Sequence, residues 1–186
     1  MCNINVLING LIQSVRDAFN GQNIENMAYR EMTDNLFAQL DNLGNQLGVD
    51  VRRTVPNQNW EFLYDVCFLV TCGINPHGYF APQTPLRKAL LVLECEWNSN
   101  NNDNDTLYDF TKLLMARSEL RTLVFDRNSN NGFKSIKQDV QLAIAAFEQG
   151  AEADRYLICG LVANALLRFV LLDGNGNELF SYRYPI

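Results

Sequence analysis

The stretch Leu86–Trp97, LRKALLVLECEW, limits the fold more than any other part of the chain. Ala89–Leu93 is an unbroken apolar run, led in by Pro85 and closed by an Asn-rich loop, which is the pattern of a buried strand. Side chains alternate along a strand, so Glu94 and Glu96 leave on one face while Leu93, Cys95 and Trp97 leave on the other. Two carboxylates side by side at the end of an apolar strand repel each other and lose hydration. They need either open solvent at an exposed strand end or a compensating cation. Mg²⁺ suits them, because it takes oxygen ligands and is commonly held by one or two carboxylates together with substrate phosphates.

The chain has 186 residues, enough for one domain with its own core. The apolar stretches are too short or too interrupted to span a bilayer, and the N-terminus lacks a basic region followed by a long apolar run. The expectation is therefore a cytoplasmic protein without membrane contact. The five cysteines, Cys2, Cys67, Cys72, Cys95 and Cys159, are scattered and lack CxxC spacing. They read as reduced packing residues rather than disulfides or zinc ligands. A net charge of −6 argues against a broad basic surface that coats nucleic acid. It leaves room for a local basic groove, for which Arg52 with Arg53, Arg87 with Lys88, and Lys112, Arg117 and Arg121 are the candidates.

Leu7, Leu11, Val15 and Ala18 recur at helical spacing and predict a helix over Ile4–Phe19, stopped by Gly21. A second helix is expected over about Glu25–Leu47, with Leu36, Leu40, Leu43 and Leu47 as its apolar stripe and Gly48 as its C-terminal cap. Val49–Val55 reads as a short strand. Trp60–Cys72 reads as a longer one with Asp65 in its middle, where an aspartate is costly unless paired or bound to a cation. The loop Gly73–Pro85 carries His77, the single histidine, and returns the chain into Leu86–Trp97 as an antiparallel neighbour that brings Asp65 toward Glu94 and Glu96. Thr106 and Asp109 form a capping box for a helix to about Ser118 that carries Lys112, and Leu120–Phe125 follows as a strand. Ser135 and Gln138 predict the start of a further helix ending at Gly150. Tyr156–Leu172 is apolar, and Asp173–Asn177, DGNGN, is a hairpin turn into an edge strand, Leu179–Tyr184.

The expected architecture is α/β: a single-domain three-layer sandwich over residues 1–186, a mixed sheet flanked by helices. N-terminal helices occupy 4–47, a core lies within about 25–125, and a C-terminal helix and hairpin fill 135–186. His77 near Cys72 suggests a thiol nucleophile with a histidine base, but no third orienting group or oxyanion loop accompanies them. GNGN at Gly174 is a hairpin turn rather than a phosphate cradle, because no helix follows it.

The order helix, strand with Asp65, strand with Glu94-x-Glu96, helix with Lys112, strand resembles the PD-(D/E)XK nuclease superfamily of restriction-endonuclease-like fold, over about Glu25–Phe125. The wording LECEW…DFTKLLMARSELRTLVF also resembles a group of small bacterial proteins of similar layout. The nuclease resemblance implies Asp65 as the first metal-binding acid, Glu94 as the acid of the (Asp/Glu)-x-Lys pair and Glu96 in the place of its lysine. Some members carry the lysine on the following helix, where Lys112 stands, and Glu31 is the candidate for an additional acid from the preceding helix. No proline precedes Asp65, and the lysine replacement also suits a member that has lost catalysis. The implied activity is Mg²⁺- or Mn²⁺-dependent phosphodiester hydrolysis of DNA, with a homodimer cutting two strands. The alternative is an inactive nuclease-fold protein that binds a nucleic-acid or protein partner.

Overall fold

The computed structural model describes residues 3–22, 24, 27–54, 64–71, 86–97, 103–162 and 166–186. Among them run α1 (Ile4–Phe19), α2 (Tyr29–Leu47), β1 (Asp50–Arg53), β2 (Val66–Thr71), β3 (Leu86–Glu96), α3 (Asp103–Met115), β4 (Ser118–Arg127), α4 (Asn130–Ala146), β5 (Arg155–Val162), β6 (Leu166–Asp173) and β7 (Glu178–Pro185). The strands form one sheet in the order β1-β2-β3-β4-β5-β6-β7. Pairings β1–β2 and β2–β3 are antiparallel, β3–β4 and β4–β5 parallel, and β5–β6 and β6–β7 antiparallel. Each parallel step needs a crossover, and α3 and α4 supply them.

The two helix pairs lie on opposite faces. Leu7, Leu11, Val15 and Phe19 of α1 and Leu36, Leu40 and Leu43 of α2 pack with Leu91, Leu93, Leu120, Val124, Leu157, Cys159 and Phe169. Phe110, Leu113 and Leu114 of α3 and Phe133, Ile136, Val140 and Ile144 of α4 pack with Val92, Leu123, Phe125, Tyr156 and Ile158. The alternation along β3 places Leu93, Cys95 and Trp97 against the α1/α2 layer, as the strand pattern requires. Burying a side chain of the Leu or Phe kind contributes about 1.5–3 kcal/mol, so both layers are held mainly by hydrocarbon. Gly48 ends α2 with φ 65°, a left-handed conformation that only a residue without Cβ adopts cheaply.

Several local expectations are corrected. Asp65 precedes β2 rather than lying within it, and residues 60–63 fall outside the described residues, as does the His77 loop. The capping box at Thr106 does not form: α3 begins at Asp103, where Asp103 and Asp105 favour the positive helix end. The Thr106 hydroxyl is buried and accepts from Arg127 Nη2 at 2.7 Å. Likewise α4 starts at Asn130 rather than 135, because Ser129 is its cap and accepts from the Gly132 amide at 3.1 Å. It ends at Ala146, and α2 begins at Tyr29 rather than near 25. Among the described residues Cys67, Cys95 and Cys159 are free thiols. No helix among these residues is long and apolar enough to cross a membrane.

Candidate functional site

The last described β2–β3 pair is Val66 with Leu93, and beyond it a side chain continues the ladder. Asp65 Oδ2 accepts from the Cys95 amide at 2.8 Å, while the Asp65 carbonyl accepts from the Thr54 amide at 3.0 Å. Asp65 is thereby fixed beside the end of β3 from which Glu94 and Glu96 project toward α3.

Glu94 is only 2% exposed. The Lys112 ammonium of α3 lies 2.8 Å from Glu94 Oε1 and also 2.8 Å from Asp109 Oδ1, one turn earlier on the same helix. Burial pushes the Glu94 carboxyl up to about 8, the ammonium opposes the rise, and Asp65 and Asp109 reinforce it. Burial lowers the Lys112 ammonium's pKa, but Asp109 and Glu94 outweigh it and the net direction is upward. Burial thus keeps a proton on the most buried acid, while the carboxylates of Asp109 and Glu94 keep the lysine charged. Glu96 is also raised, first by burial, then by Asp109 and Asp105, with a carboxyl–carboxyl hydrogen bond to Asp109. Tyr64 Oη donates to the Lys112 carbonyl at 3.5 Å, tying the entry of β2 to the helix.

The structure therefore brings Asp65, Glu94, Glu96 and Lys112 to one end of the sheet. Glu31 stands apart, exposed in the first turn of α2 on the opposite face. The acid missed from sequence is Asp109, and its signal was present as the i, i+3 spacing to Lys112. Several of the cations considered for a basic groove are held in ion pairs. Arg52 pairs with Asp50, Arg53 with Asp41, Lys88 with Glu119 and Arg121 with Asp154.

All the clustered acids are carboxylates, the donor chemistry of a hard divalent cation. Among the described residues, no three His, Cys, Asp or Glu side chains stand arranged to hold a metal ion; Glu94 is engaged by the ammonium. No protein-family model, curated protein or solved structure matches this chain.

Proposed function

We propose that the chain is a Mg²⁺- or Mn²⁺-dependent nuclease of the PD-(D/E)XK type, with a restriction-endonuclease-like fold, that hydrolyses phosphodiester bonds in DNA. The observation that carries this reading is the meeting of buried Glu94 with Lys112 and Asp109 of the crossover helix, beside Asp65 and Glu96. An antiparallel meander followed by a parallel crossover supports it, being the element order of that family's core.

Although Lys112 occupies Glu94 and the acids are not grouped as a metal site among the described residues, the resemblance would have Asp65, Glu94 and Glu96 hold the cation. When bound, it would polarise the phosphate and acidify a water molecule. The side chains have separate tasks around it. Glu96, whose pKa is raised, would be the carboxylate placed to accept a proton from an attacking water. Lys112, beside Glu94 and Asp109, would offer its ammonium to the phosphate oxygens, where a positioned cation stabilises developing charge. Asp109 keeps that ammonium within reach. Two copies of the chain are required to cut both strands of a duplex.

A second reading, a binding protein without catalysis, is favoured by one observation: Lys112 already neutralises Glu94 and Asp109. The test is cleavage of plasmid and duplex DNA with Mg²⁺ or Mn²⁺. Asp65→Asn and Glu94→Gln are expected to lower cleavage by at least about 100-fold while circular dichroism is unchanged. Absence of metal-dependent cleavage by the natural protein sinks the nuclease reading. Lys112→Met separates the two independently of activity. Mn²⁺ raises the melting temperature of this variant if the acids take a metal, and leaves it unmoved if the lysine is a permanent counter-ion.

A further inference from the structure

The sheet register lines up a second set of side chains on the α3/α4 face. Across from Glu96 the successive partners are Phe125, Gly160, Arg168 and Arg183, and directly opposed residues project to the same face. A row that starts with an acid on β3 therefore ends with two adjacent arginines on β6 and β7.

Arg168 is 8% exposed. Its guanidinium carbon lies 4.4 Å from the centre of the Phe133 ring, and Nη1 donates to Asn130 Oδ1 at 3.3 Å. Among the described residues neither Arg168 nor Arg183 has a carboxylate within ion-pair distance. Glu178, the acid that acts on Arg168, is itself held by Lys137 at 2.6 Å. Burial and the charge of Arg183 both lower the Arg168 pKa.

The start of α4 adds to this positive region. Its 17 residues carry no acid in the first turn, so the positive end of the helix dipole is not offset by a side chain. The cap engages Gly132 and Phe133, leaving the amides of Asn130 and Asn131 outside it. Gly160 allows the helix to press this close, because a Cβ there would lie 2.2 Å from Phe133 Cδ2. Burying a cation beside a second cation and a positive helix end is unfavourable until an anion completes the arrangement.

We propose that Arg168, Arg183 and the first turn of α4 at Asn130–Asn131 form a phosphate-binding site. The Arg168 guanidinium takes phosphate oxygens through its planar donor fork, Arg183 closes the solvent side, and the helix amides complete the shell. The phosphate comes either from the backbone of a nucleic acid lying along the rim or from a small phosphorylated molecule. Three interstrand steps of about 4.8 Å separate Arg168 from Glu96, or about 14 Å. That distance equals about four steps of B-form axial rise, so one strand can engage both ends of the row. Only this choice of source rests on the nuclease reading.

The experiment has two arms, both in EDTA so that cleavage plays no part. In the first, inorganic phosphate is compared with chloride at equal ionic strength by thermal melting. The natural protein is expected to melt several degrees higher in phosphate, Glu94→Gln to keep that shift, and Arg168→Met with Arg183→Gln to lose it. In the second, a fluorescent oligonucleotide is titrated by anisotropy. Arg183→Gln, at an exposed position, is expected to weaken binding about tenfold and to make the salt slope shallower by about one. Phosphate stabilisation without oligonucleotide binding supports the site and assigns it to a small phosphorylated ligand, at the expense of the nuclease reading. If Arg168→Met does not fold, Arg183→Gln alone decides in both arms. No phosphate shift in the natural protein, or an equal shift in the variants, overturns the proposal.

Discussion

Among the described residues, the buried polar groups on the α1/α2 side of the sheet are hydroxyls, Ser14 and Thr122, whereas the α3/α4 side buries four charged side chains, Glu94, Arg121, Arg127 and Arg168. The same strands serve both sides, since alternate residues of β4 face Val124 one way and Phe125 the other. The difference lies in the partners. Arg121 is held by the Ala116 carbonyl and Asp154, and Arg127 by Thr106 and Asp103. Glu94 shares one ammonium with Asp109, and Arg168 has a ring and an amide oxygen. Arg121 and Arg127 each reach a carboxylate, whereas Arg168 is held by a ring and an amide alone. Both sides are packed with hydrocarbon, and the α3/α4 side carries buried charge in addition.

The largest effect that can break this contrast is on the apolar side. Phe19→Ala, in a fully buried position of α1, is expected to lower unfolding free energy by about 3–5 kcal/mol, measured by urea denaturation. A loss below about 1 kcal/mol would mean that the α1/α2 layer is not what holds the sheet. On the ionic side the sign reverses. The folded state raises Glu94 to about 8, so it favours the protonated carboxyl. That contribution is complete below the ordinary glutamate value and is lost as pH rises through about 8. In metal-free buffer, Glu94→Gln is expected to match the natural protein near pH 4.5 and to exceed it by about 1–3 kcal/mol above pH 8. Melting curves across that range check it, and a pH-independent difference would remove the buried acid from the comparison. The smallest effect separates burial from charge itself. Lys137→Ala breaks a half-exposed pair with Glu178 and is expected to cost less than about 1 kcal/mol in the same urea assay; a larger loss would show that charge matters even where water reaches it.

Much of the scaffold was legible in sequence because local rules act there without competition. The periodicity of α1, the glycine after α2, the apolar run of β3 and the DGNGN turn each agree with their surroundings. The helix starts were misread where a long-range partner claims the capping residue: Thr106 serves Arg127, and Ser135 sits within a helix already capped by Ser129. In the candidate site, Glu94 and Glu96 are visible as acids at a strand end, and Asp65 as an acid within an apolar run, although it stands just before β2. Asp109 was read as a capping partner because its link to Lys112 and Glu96 depends on how α3 lies on the sheet. Arg168 and Arg183 were hidden for the same reason, since only register makes them neighbours.

Strand order along the sheet equals strand order along the chain. A nascent polypeptide leaving the ribosome can therefore add one ladder at a time, each new strand meeting an edge already made by the one before it. No early strand waits, unpaired and prone to aggregation, for a partner translated much later. Among the described residues β7 forms one edge of the sheet, where Glu178, Ser181, Arg183 and Pro185 make a poor template for another copy.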